Sequence, residues 1–130
     1  MIILDTSFII ALLNKGDVHH SRAVDLLNRL DNSEKIVTHP LVVQETISVI
    51  ARKCREQKGT CREWIRKTEE FVSALKLVEF PSQRQKVLDV IVQSDCSLSY
   101  IDAVLLLATK YLRAKVLTFD KVLQELAESG

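Results

Sequence analysis

With 130 residues, 47% of them apolar, and a formal net charge of +1, the chain can build one ordinary domain with a real core, and it carries no global field that advertises nucleic acid. Three glycines and two prolines leave little room for linkers and supply neither a P-loop nor a GxGxxG turn, which disfavours nucleotide-dependent chemistry. No apolar run is long enough to span a membrane, and the opening stretch has no basic leader and no small-residue cleavage site, so a soluble, cytoplasmic, single-domain protein over residues 1–130 is expected.

Met1-Ile2-Ile3-Leu4 is a short, wholly apolar run, as in a strand covered on both faces. A helix is expected to open directly behind it, from Thr6 to Asn14. Asp17 is placed to cap a second helix, with Ala23, Val24, Leu26, Leu27 and Leu30 as its apolar stripe. Lys35 to Thr38 reads as a second strand. Pro40 stands where a first helical turn tolerates it, and the helix that follows is expected to bury Val43, Ile47, Ile50, Ala51 and Cys54. Gly59 breaks that helix. Its return partner runs from Cys61 to Leu75, with Trp64, Thr68, Phe71, Val72 and Leu75 on one side. Leu77 to Phe80 is a third strand, closed by Pro81. Ser82 starts a helix carrying Val87, Leu88, Ile91 and Val92. Tyr100 to Leu112 is apolar nearly all round, the mark of a buried helix. Lys115 to Thr118 is the last strand, and Lys121 to Ala127 the last helix.

Cys54, Cys61 and Cys96 are an odd number with no short pairing, which indicates reduced thiols rather than a disulfide frame. His19, His20 and His39 are not spaced with them as zinc ligands and read as ordinary surface histidines. The basic residues are unevenly spread. Arg52, Lys53, Arg55, Lys58, Arg62, Arg66 and Lys67 crowd the turn between the two middle helices, opposed there by Glu56 and Glu63. Such a hairpin is usually a solvated face; it also suits a phosphate backbone or an acidic partner.

Short apolar strands alternating with helices indicate a parallel sheet with helices on both faces. Ligands of such sheets bind beyond the carboxyl ends of the strands, where strand order reverses. Two strands run straight into an aspartate: IILD at Asp5 and VLTFD at Asp120. If the first and last strands are neighbours, both carboxylates face one crevice. Asp102 interrupts the most apolar helix and Glu45 a largely apolar one. Each acid has a plainer reading. Asp5 and Asp120 suit helix N-caps, Ser99 and Asp102 a capping box, and Glu45 a contact with water. Crowded carboxylates repel unless a cation neutralises them. With no His or Cys near these acids in the sequence, a hard ion, Mg²⁺ or Mn²⁺, suits them better than a soft one. Phosphoryl transfer and phosphodiester hydrolysis are the reactions that use such a pocket.

The ordered set IILDTSFIIALLNKGDVHHSRAVDLL, VVQETISVI, LSYIDAVLLLATK and VLTFDKVL resembles the PIN domain family, and within it the VapC-type toxins of toxin–antitoxin pairs. The likeness covers nearly the whole chain, and the order of the motifs is more specific than any one of them. It implies a three-layer α/β/α sandwich around a parallel sheet of about four strands. It also implies a ribonuclease that uses Mg²⁺ or Mn²⁺ and hydrolyses RNA by metal-activated water, with no covalent intermediate. By the resemblance Asp5 is the central metal ligand, Asp102 and Asp120 complete the set directly or through water, and Glu45 holds or activates the attacking water. A hydroxyl of Thr6 or Ser7 is expected to orient Asp5, a metal water or the phosphate. Arg52, Lys53, Arg55, Lys58, Arg62 and Arg66 become candidates for contact with RNA or a partner. The resemblance further implies a cognate antitoxin and a homodimer. Only one acid stands in the fourth motif, and the edge strand that some relatives carry after it is expected to be missing.

Two other classes fit less well. A non-catalytic PIN-like module for RNA or protein binding would not need all four acids. A phosphatase of the haloacid dehalogenase type wants a second Asp two residues after the first, where this chain has Ser7.

Overall fold

The computed structural model describes residues 1–56, 61–79 and 83–129. Its sheet has four strands: β1 (Ile2–Leu4), β2 (Ile36–Thr38), β3 (Lys76–Leu77) and β4 (Lys115–Leu117). Their order is β3-β2-β1-β4 and every pairing is parallel, with Ile3 opposite both Val37 and Val116. The chain steps outward from β1 to β2 to β3, then returns across the sheet to lay β4 on the other side of β1. The expected reversal between the first and last strands is therefore present.

Seven helices cover the sheet: α1 (Thr6–Leu13), α2 (His20–Asn28), α3 (Pro40–Glu56), α4 (Cys61–Ser73), α5 (Arg84–Gln93), α6 (Tyr100–Leu112) and α7 (Lys121–Glu128). Helix α1 packs on both α2 and α3, and α3 on α4; α5 to α7 pack in succession. Right-handed crossovers send these two groups to opposite faces once the strand order reverses. This is the three-layer α/β/α sandwich. Ile2, Ile3 and Leu4 are all buried, as a strand covered on both faces requires, and they join Phe8, Val37, Val42 and Leu105 in the main core. Helix α6 is buried along most of its length, as its composition predicts.

The inward face of α3 differs from the hydropathy reading. It is Val42, Thr46, Ile50 and Cys54, while Ala51 is exposed and Val43 and Ile47 are half-buried. Thr46 can occupy the core because its hydroxyl donates to the Val42 carbonyl at 2.7 Å and meets the Thr6 hydroxyl at 3.4 Å. A polar residue with its hydrogen bond satisfied inside the helix shifts the buried stripe by one position. On α5, Val87 is buried but Leu88 and Val92 are exposed, because only one side of that helix meets α6.

Two of the histidines are half-buried and hold backbone. His20 Nδ1 lies 2.8 Å from the Ala11 carbonyl, and His39 Nδ1 accepts the Leu41 N–H at 3.1 Å, at the start of α3. Asp17 stands a turn ahead of α2, accepting the His19 N–H rather than capping the helix directly. Cys54 and Cys61 pack into one small cluster across the α3–α4 hairpin, as free thiols. Gly59, Lys58, Phe80, Pro81 and Ser82 lie outside the described residues. Among those described, no helix is long and apolar enough to cross a membrane.

Candidate active site

The Asp5 N–H donates to the Leu117 carbonyl at 3.0 Å, which ties the ends of β1 and β4 together at the strand reversal. Asp5 then caps α1: its Oδ1 accepts the Thr6 N–H at 2.7 Å. Its Oδ2 accepts the Thr118 hydroxyl at 2.6 Å and the Ser7 hydroxyl at 3.3 Å. Those two hydroxyls also receive backbone donors from the far side. The Phe119 N–H donates to Ser7 Oγ at 2.9 Å, and the Asp120 N–H to Thr118 Oγ1 at 3.0 Å. Ser7 thus reaches Asp5 through its hydroxyl. Thr6 does so through its backbone, while its hydroxyl turns inward to Thr46. Thr118, a residue that sequence reasoning passed over, makes the shortest of these contacts. Its signal was a hydroxyl two places before an acid at a strand end.

Asp5, Glu45, Asp102 and Asp120 line one hollow of about 450 Å³, and Asp17 joins them. Three helices begin there. Asp5 caps α1, Ser99 caps α6 by accepting the Asp102 N–H at 3.2 Å, and Asp120 caps α7 by accepting the Leu123 N–H at 3.1 Å. The plainer capping readings are therefore true of the same residues that form the cluster. The positive ends of three helices help to hold the negative charge. They do not neutralise it. Burial above all pushes the Asp5 carboxyl up to about 6, against the pull of the Thr118 hydroxyl, and the charges of Asp102 and Glu45 push the same way. Asp102 is also raised, first by burial, with Ser99 opposing and the charges of Asp120 and Glu45 adding to it. None of the ion pairs among the described residues involves these acids.

Among the described residues, Lys53 is the one Lys or Arg that lines the hollow. Glu45, Val49 and Lys53 recur every fourth residue on α3 and all three line it. Arg52, Arg55, Arg62 and Arg66 are exposed and stand outside it. His19, expected at an ordinary surface, is exposed but also lines the hollow. A larger cavity of about 680 Å³ follows the free edge of β4 between α2 and α7. Three acids, Asp31, Glu34 and Glu128, line it together with three basic residues, Arg22, Arg29 and Lys115, so its lining charges balance.

Among the described residues no three Asp, Glu, His or Cys side chains converge into a ready-made ligand cluster. The donors are nonetheless carboxylates and hydroxyls around a roomy, negatively charged hollow. That set fits Mg²⁺ or Mn²⁺ held by one or two carboxylates and several waters.

The PIN domain family model matches residues 2–129. The chain belongs to the PIN domain family. Its fold is similar to that of two solved PIN-like structures. VapC20 of Mycobacterium tuberculosis, a toxin that cleaves the sarcin–ricin loop, superposes with a TM-score of 0.77 at 21% identity, over 100% of this chain and 95% of that one. PAE2754 from Pyrobaculum aerophilum gives 0.73 at 18% identity, over 96% and 84%. No curated protein sequence matches. PIN domains are nuclease domains, which places this chain among the hydrolases of nucleic acid.

Proposed function

We propose that this PIN domain is a Mg²⁺- or Mn²⁺-dependent ribonuclease and the toxin of a toxin–antitoxin pair. One observation carries the reading: carboxylates from four distant segments line one hollow, and the innermost, Asp5, is buried with no cation paired to it among the described residues. A bound Mg²⁺ or Mn²⁺ would polarise the scissile phosphate and lower the pKa of the attacking water. Asp5 would hold the ion, with Asp102 and Asp120 beside it directly or through water. Glu45, whose carboxylate has no hydrogen-bond partner among the described residues, would take the proton of that water. Thr118 and Ser7 fix the Asp5 carboxylate, so its lone pairs are aimed before the ion arrives. Lys53, which lines the hollow and has no ion-pair partner among the described residues, is placed to meet phosphate oxygens.

The toxin assignment is supported by the likeness in fold to VapC20 and by the resemblance in sequence. A cognate antitoxin would close the hollow with a basic side chain, and the neighbouring reading frame should encode it. A homodimer belongs to the same proposal; exposed Leu88 and Val92 on α5 suit it. The assembled acids speak against a non-catalytic binding module.

Two outcomes test the reading. Single-stranded RNA incubated with the protein should be cut in Mn²⁺ and left intact in EDTA; intact RNA under both conditions, with the protein folded, contradicts it. Lys53→Ala should raise KM about tenfold, change kcat less, and reduce the slope of log affinity against log salt by about 1, as loss of one phosphate contact does. Kinetics at two or three salt concentrations decide this.

A further inference from the structure

Three aromatic rings form a column that runs out of the core and ends at the rim of the acidic hollow. Phe8, wholly buried in α1, stacks on Phe119 with ring centres 5.7 Å apart and planes 14° from parallel. Phe119 stacks in turn on His19, at 4.4 Å and 6°. Each ring is held. The core fixes Phe8. Phe119 is half-buried and its N–H is bound to Ser7 Oγ. The His19 N–H donates to Asp17 Oδ1 at 2.8 Å. The imidazole is exposed, it borders the hollow, and among the described residues no other ring covers its outer face.

We propose that His19 is a stacking platform for the nucleobase next to the phosphodiester in the hollow. The proposal rests on the nuclease reading above. Proteins that grip single-stranded RNA lay its unstacked bases on aromatic side chains, histidine among them. A ring kept flat by the two rings beneath it loses little freedom when a base settles on it. The column also sets the register. Phe119 sits in the chain between Thr118, which bonds Asp5, and Asp120, so a base on His19 is positioned against the same acids that face the phosphate. Stacking tolerates every base, so the platform fixes position along the strand and leaves sequence choice to other contacts.

The test uses the full chain and a short single-stranded RNA. The RNA is supplied intact and with an abasic nucleotide on either side of the cleaved bond. Binding is followed by fluorescence anisotropy in Ca²⁺, and cleavage in Mn²⁺. His19→Ala should weaken binding of intact RNA about tenfold and raise KM, with kcat nearly unchanged. His19→Phe should restore both. At one of the two abasic positions, wild type and His19→Ala should bind alike. Equal affinity of wild type and His19→Ala for intact RNA overturns the platform. So does failure of His19→Phe to rescue, or a loss that persists at both abasic positions. If the wild type shows this binding pattern but cleaves nothing in Mn²⁺, the nuclease reading fails and the platform stands. If it cleaves without the pattern, the platform alone fails. If it binds no RNA, both fail.

Discussion

Asp5→Asn should cut Mn²⁺-dependent RNA cleavage by about a thousandfold or more and, in the absence of metal, make the fold more stable. Asp5 is 3% exposed, and its carboxyl titrates at about 6 in place of the ordinary 3.8. That difference corresponds to about 3 kcal/mol against folding when the group is ionised. A carboxyl whose pKa is higher in the folded chain favours the fold in full below the unfolded value. That contribution is lost as the pH rises through the folded value. The metal-free wild type should therefore lose stability from about pH 4 to just above pH 6. Asp5→Asn removes the ionisation but keeps an oxygen for the Thr6 N–H. It should melt several degrees above the wild type at neutral pH and alongside it near pH 4. Mn²⁺ should reverse the order at neutral pH, because only the wild type gains from the ion. Thermal melts in EDTA and in Mn²⁺ across this pH range check all three statements. A variant that melts below the wild type in EDTA at neutral pH would show that burial of the Asp5 charge does not oppose folding.

Thr118→Val should be the most damaging change outside the acids. The threonine hydroxyl donates to Asp5 Oδ2 at 2.6 Å, accepts the Asp120 N–H at 3.0 Å and lies 3.2 Å from Ser7 Oγ. Valine keeps the shape and removes every one of these contacts. Two buried groups then lose a partner, at a cost of about 2–3 kcal/mol in stability. The chemical consequence is more specific. This hydroxyl is the strongest influence holding the Asp5 carboxyl down, so without it the carboxyl rises further above 6. At neutral pH less of it is ionised, and cleavage should fall by tenfold or more, about one pKa step. Raising the pH should recover part of the loss, and Thr118→Ser should behave like the wild type. A pH–rate profile of Thr118→Val that overlays the wild type would show that the hydroxyl does not tune Asp5.

Much of this was legible in the chain. The short apolar runs before Asp5 and Asp120 read as strands, and both are: the first is wholly buried, the second lies half-buried at the sheet edge. Once the fold is parallel, their ends must share the reversal point. The helix phases were less legible. On α3 the stripe was set by Thr46, whose hydroxyl is satisfied by the Val42 carbonyl, so hydropathy placed the buried face one position away. That phase also decides which basic residue lines the hollow: Lys53 does, on the same face as Glu45, while Arg52 and Arg55 stand outside it. Thr118 and His19 were hidden for a different reason. Neither stands out by type, and their roles arise from contacts between segments about a hundred residues apart. Asp17 looked like a cap and is a backbone acceptor that also faces the hollow. Capping and clustering of the acids, which compete on paper, describe one arrangement, because three helices start where the charges gather.

The most direct measurement is a calorimetric titration of Mn²⁺ into the wild type and into Asp5→Asn, Glu45→Gln, Asp102→Asn and Asp120→Asn. The wild type should bind the ion and release protons on doing so near pH 6, and each substitution should weaken binding, Asp5→Asn most. A folded wild type that takes up no Mn²⁺, or binding that none of the four substitutions alters, would contradict a shared ion at this hollow.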